Sequence, residues 1–156
     1  MLENWMKAAL GLAEEAAQAG EVPVGAVVIK EGRIIGSGRN RREADQSPIA
    51  HAEILALLEA ATAEKSWRLA GCELYVTLEP CPMCLAAIQQ ARIARVYYGA
   101  SDPKGGALSL GYRLHEDART NHRFPAELVV DPACEQVLKD FFRRMRVEKG
   151  TSGKKS

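Results

Sequence analysis

Along the first stretch of the chain Leu2, Trp5, Met6, Ala9, Leu10, Ala13 and Ala17 recur at helical spacing with Glu3, Lys7 and Glu14 between them, which predicts an amphipathic helix ended by Gly20. VPVGAVVIK, the pair Glu31-Gly32 and RIIGSGR then read as strand, tight turn and strand, a β-hairpin. Residues 40–48 are a polar loop, and a helix is predicted from His51 to about residue 65. Gly71 precedes the strand CELYVTL, which Pro80 stops. CPMCLAAIQQARI carries Leu85, Ile88 and Ala91 at helical spacing with Pro82 in the tolerated first turn, and ARVYYG follows as a short apolar strand. Residues 100–121 form a long glycine-containing loop, AELVVD is a last strand, and Pro132 opens a final helix through Phe141 and Phe142. A helix, a hairpin and then alternating helices and strands predict an α/β fold: a three-layer α/β/α sandwich with a mixed five-stranded sheet. The expected organisation is a single domain over residues 1–156, with 150–156 as a frayed tail.

A chain of 156 residues, 47% hydrophobic and 26% charged, suits one globular core. No apolar run approaches a bilayer span and the N-terminal pattern is not a signal sequence, so the expectation is a soluble, cytoplasmic protein with no membrane association. In a reducing compartment the four cysteines, Cys72, Cys81, Cys84 and Cys134, point away from disulfides and towards metal binding or catalysis. A net charge of +1 argues for no partner by itself, but Arg143, Arg144, Arg146, Lys149, Lys154 and Lys155 face a single acid, Glu148, so the C-terminal end is basic. The glycine strings are weak signals: GSGRNR lacks the third glycine of a dinucleotide fingerprint, and DPKGGA lacks the order of a phosphate loop.

The chemistry concentrates in two short stretches. EPCPMC sets Cys81 and Cys84 at a strand end and a helix start, where free amides and the helix dipole favour thiolates. Alone, the pair fits a metal site or a thioredoxin-like redox centre. AHAEILALL places His51 and Glu53 two positions apart, which on a regular helix projects them about 200° from one another, so no single polar face accounts for both. His51 alone reads as a capping or packed residue. Together, two thiolates and one imidazole are three ligands, and an open fourth position for water is the layout of catalytic zinc. Glu53 would stand beside that water as a proton carrier without being a ligand. A structural zinc in a nucleic-acid-binding module would need a fourth protein ligand, and a redox enzyme would leave His51 and Glu53 without a task.

His51-Ala52-Glu53 with Pro80-Cys81-Pro82-Met83-Cys84 resembles the known zinc signature of the cytidine deaminase superfamily. The stretches Glu21 to Val27, Ala50 to Glu53, Leu74 to Cys84, Asp102 to Lys104, Asn121-His122-Arg123 and Phe141-Phe142-Arg143 resemble one branch, the bacterial tRNA-specific adenosine deaminases, over Trp5 to about Lys149. The resemblance implies a cytidine deaminase-like fold and one Zn²⁺ per chain on His51, Cys81 and Cys84. It also implies hydrolytic conversion of adenosine to inosine at the wobble position of a tRNA anticodon, with Glu53 shuttling the proton. Asn40, the backbone of Ala52 and Asp102 would bind the target nucleoside, Asp102 where a ribose 2′-hydroxyl is read. Arg143, Arg144, Arg146 and Lys149 would meet the tRNA backbone. The family implies a homodimer, for which Leu85 and Ile88 are expected as exposed apolar positions. Of the adjacent Phe141 and Phe142, one is expected in the core and the other near the active-site rim or an RNA base. Without the family match, Asn40 and Asp102 read as turn residues. A deaminase of free guanine, cytosine or cytidine would use the same zinc and glutamate; the basic C-terminal helix and the Asp102 region favour RNA. GGALSLGYRLHEDART departs from the family's usual Gly-Ser-Leu run after its Lys-x-Gly-Ala turn. Cys72 and Cys134 read as small buried apolar residues, and His115 and His122 are not needed for the zinc set.

Overall fold

The computed structural model describes residues 2–154, with side chains through residue 149. The elements are α1 (Leu2–Gln18), β1 (Gly25–Lys30), β2 (Arg33–Arg39), α2 (Ala52–Glu64), β3 (Glu73–Val76), α3 (Pro82–Gln90), β4 (Arg95–Tyr98), β5 (Ala126–Leu128) and α4 (Pro132–Lys154). The sheet order is β2-β1-β3-β4-β5. β1 runs antiparallel to β2 and β3, while β3, β4 and β5 are parallel, so the sheet is mixed. Side chains alternate across it as the pleat requires. Ala26, Val28, Leu74, Val76, Val96 and Tyr98 face Ala52, Ala56, Leu85 and Ile88 of α2 and α3. On the other face Val27, Ile29, Tyr75 and Tyr97 pack with Met6 and Ala9 of α1 and Cys134 of α4. These are the three layers of an α/β/α sandwich.

Two local details set where α2 begins. The hairpin turn has Glu31 and Gly32 both at positive φ, 49° and 73°, the geometry that matches the twist of the flanking strands. In β2, a Cβ at Gly36 would come within 2.7 Å of Ala60 N, and one at Gly38 within 2.7 Å of Ala56 N. Both would also overlap α2 carbonyls. The glycines that carry no nucleotide fingerprint thus let the backbone of α2 lie flush on β2, which fixes the N-terminus of α2 over the end of the sheet.

The structure corrects two expectations. Leu85 and Ile88 are 1% and 0% exposed, because their helical stripe is the face of α3 that packs on the sheet and not a partner surface. α4 continues through Lys154, so residues 150–154 are helical where a frayed tail was expected; residues 155 and 156 lie outside the described residues. Phe141 is buried and Phe142 exposed, as their adjacency on a helix demands. Cys72 and Cys134 are buried among apolar neighbours. The long loop after β4 contains a 3₁₀ turn at Leu114–Glu116 and is tied to α3 by Gln89 Nε2, which donates to Leu114 O at 2.9 Å and His122 O at 3.0 Å. Among the described residues no helix is long and apolar enough to cross a membrane.

Candidate active site

Two helix N-termini converge at one end of the sheet. His51 is the N-cap of α2, extended at φ −83° and ψ 153°, and Glu53 is the second helical residue. Because His51 stands outside the helix, the 200° separation of a regular i, i+2 pair does not apply, and both side chains reach one place. Cys81 is likewise the extended N-cap of α3, with Pro82 as the first helical residue and Cys84 one turn in. Neither N-cap side chain makes a capping hydrogen bond. Both turn towards each other instead: Cys81 Sγ lies 3.6 Å and Cys84 Sγ 3.5 Å from His51 Nδ1. All three ligand atoms fall within 4.8 Å of one another, a set able to hold a metal ion.

The electrostatics of the four groups are tightly coupled. Cys81 is lowered to about 4, chiefly by its hydrogen bond from Cys84 and also by that from His51. Cys84 moves the opposite way, raised by the hydrogen bond to Cys81 and by burial. Opposite shifts of this kind belong to two thiols joined by one hydrogen bond. His51 is raised by its bond to Cys81. Burial pushes the Glu53 carboxyl up to about 7. A carboxyl balanced near neutrality next to a ligand set can both take and release a proton.

A cavity of about 180 Å³ opens on this centre. His51, Ala52, Glu53 and Cys81 line it, and so do Asn40 and Asp102, so the cavity collects six of the residues expected from the sequence, with Cys84 buried beneath. Asn40 also serves its own loop: its Nδ2 donates to Val22 O at 3.1 Å and its Oδ1 accepts from Arg42 N at 3.2 Å. Asp102 Oδ1 accepts from Lys104 N and Gly105 N, so its turn chemistry and its place on the cavity coexist. Arg42 and Glu79 line the cavity as well and were not singled out from the sequence for this role. Arg42 had no signal beyond its closeness to Asn40; Glu79 stood in the Glu-Pro-Cys run. Arg143, Arg144, Arg146 and Lys149 are not among the cavity residues and lie exposed on α4, where Arg143 pairs with Asp140 at 3.6 Å. His122 is engaged with Ile93 O at 2.7 Å, and His115 is buried against Phe124; neither joins the ligand set.

The sequence matches the MafB19-like deaminase model over residues 2–146. The tRNA-specific adenosine deaminase of Bacillus subtilis strain 168 is 44% identical over 155 residues, covering 97% of this chain and 95% of the relative. A solved structure from studies of A-to-I editing by tRNA:A34 deaminases at the wobble position of transfer RNA superposes with a TM-score of 0.82 at 42% identity, over 87% of this chain and 99% of the other. The X-ray structure of guanine deaminase from Bacillus subtilis is more distant, with a TM-score of 0.62 at 35% identity over 79% of this chain and 82% of that one. With the family model and near full-length relatives in agreement, the chain belongs to the MafB19-like deaminases and, among its relatives, to the tRNA-specific adenosine deaminase family.

Proposed function

We propose that the protein hydrolytically deaminates adenosine to inosine at the wobble position of a tRNA anticodon, with zinc held by His51, Cys81 and Cys84. The observation that carries this reading is the ligand geometry beside a buried, near-neutral carboxyl. Bonds of about 2.3 Å to sulfur and 2.0–2.1 Å to nitrogen at a tetrahedral centre separate S and N by about 3.6 Å. The separations here are 3.5 Å and 3.6 Å. Zinc bound there would bring the pKa of a water in its fourth position towards ~7. Glu53, aimed into the same cavity, takes the proton from the attacking water, delivers it to the ring nitrogen of the base, and assists departure of the amine as ammonia. Asn40, the backbone of Ala52 and Asp102 orient the nucleoside on the cavity wall. The exposed cations of α4, Arg143, Arg144, Arg146 and Lys149, attract the tRNA phosphates. The same reading assigns the work to the cytoplasm, a compartment that keeps thiols reduced.

A homodimer belongs to the same proposal, on a different surface from the buried Leu85 and Ile88. Between α2 and α3 an apolar groove contains Leu58 and Trp67, 60% and 59% exposed, beside Ile54 and Ala87. Such a patch on a surface otherwise rich in charge suits a second copy of the chain. Leu58→Asp should convert a dimer to monomer in sedimentation; a monomeric wild type would refute the dimer.

The likeness to guanine deaminase keeps one competing substrate class in play. The deciding assay measures ammonia and inosine from an anticodon stem-loop with adenosine at the wobble position, against free adenosine, cytidine, cytosine and guanine. Inosine from the stem-loop alone is the expected result. Turnover of a free base or nucleoside alone would move the enzyme to nucleobase chemistry with the same four central residues.

A further inference from the structure

Two buried carboxylates outside the ligand set, Glu21 and Glu79, take no part in the chemistry above. Glu79 follows β3, and its Oε1 accepts from Asp102 N at 3.1 Å and from Ser109 Oγ at 2.6 Å, while Oε2 accepts from Ser109 N at 2.8 Å. Glu21 precedes β1, and its Oε1 accepts from Glu43 N at 3.0 Å while Oε2 accepts from Ala44 N at 2.7 Å. Their donors are main-chain amides and one hydroxyl. A buried carboxylate is costly unless its oxygens are met, so a chain that uses two of them to hold irregular backbone gains definition that apolar packing would not give.

The two anchored loops carry the cavity's polar wall. Glu21 holds the segment that presents Asn40 and Arg42, and the Asn40 side chain ties that segment again to Val22, next to Glu21. Glu79 holds the segment that begins at Asp102, and Ala107 N donates to Pro80 O at 2.8 Å, directly beside the ligand Cys81. Gly106 belongs to the same device, since a Cβ there would overlap the Glu79 carboxylate.

We infer that Glu21 and Glu79 are positioning residues that hold the two substrate-facing loops in register with the metal-ligand set and so govern substrate affinity more than the chemical step. The inference rests on the deaminase reading only for the identity of the substrate. Glu79→Gln leaves an amide NH₂ opposite the N–H of either Asp102 or Ser109, whichever way it turns, so one anchor is lost. Glu21→Gln does the same to Glu43 or Ala44. Losing a hydrogen bond to a charged group should raise KM about tenfold, with kcat held within about threefold and metal content as in wild type. Ser109→Ala removes only the hydroxyl bond and should raise KM roughly threefold; it decides the matter where a glutamate variant does not fold. KM is measured on whichever substrate the wild type turns over, stem-loop or free guanine. The wild-type preference thus judges the functional reading, and the variants judge this one. Unchanged KM in the folded variants, or a fall in kcat at constant KM, would overturn it.

Discussion

The floor and the rim of the cavity are built by different means. The floor is two helix N-termini, each bringing its chemistry within a stretch of three or four residues: His51 and Glu53 on α2, Cys81 and Cys84 on α3. The rim is loop backbone pinned by carboxylates 22 to 30 residues distant in sequence. The floor draws rigidity from regular structure, with α2 seated on Gly36 and Gly38. The rim has no regular structure of its own and depends on single side chains. Chemistry that must be held to a fraction of an ångström sits on the elements, and recognition that must suit one substrate sits on the loops.

The largest expected effect breaks the floor. Cys84→Ala should lose both metal and turnover, because two ligands cannot hold the site closed; metal analysis of the purified variant checks it. Retention of one tight zinc would separate Cys84 from the ligand set. Gly38→Ala strikes the floor through its support, placing a methyl against α2 and destabilising the protein by about 1–3 kcal/mol, read as a lower Tm. A Tm equal to wild type would mean that α2 is free to shift.

Smaller effects test the recognition surface. Arg143→Ala with Arg144→Ala should weaken stem-loop binding and reduce the slope of log K against log salt by roughly 2, with zinc unaffected. An unchanged slope would remove that face of α4 from the interface. The smallest effect concerns His115 in the loop after β4, whose imidazole burial holds below its ordinary value and whose Nδ1 has no partner. The unfolded chain then binds the proton more readily than the folded one. Stability from this group is full above about pH 6.5 and falls as pH drops through that value towards the lower folded pKa. His115→Gln should therefore flatten the acid side of the stability curve, measured by denaturant midpoints at pH 7 and pH 5. Parallel curves for wild type and variant would assign the acid sensitivity elsewhere.

The same contrast explains what could be read from the sequence. The hairpin, both helix starts and the three candidate ligands lie in short motifs with their own chemical logic, Pro82 at the first turn and alternating apolar strands among them. Leu85 and Ile88 were misplaced because helical periodicity marks an apolar stripe without saying whether the sheet or a partner covers it. The end of α4 lies beyond the expected helix because Gly150 and the polar residues after it carry low helix propensity and no apolar stripe to mark a helix. Glu21 opens a family-like stretch and Glu79 stands in the Glu-Pro-Cys run, but only long-range contact reveals the loops that they hold. Arg42 acquires its place on the cavity in the same way.

The most direct test of the central claim is the ammonia-release rate and zinc content of Glu53→Gln beside wild type, on the wobble-adenosine stem-loop. The account predicts about one zinc per chain in both proteins and a variant slower by roughly 10²–10⁴-fold, since the buried carboxyl carries the proton and holds none of the metal. Turnover by the zinc-loaded variant near the wild-type rate would contradict it.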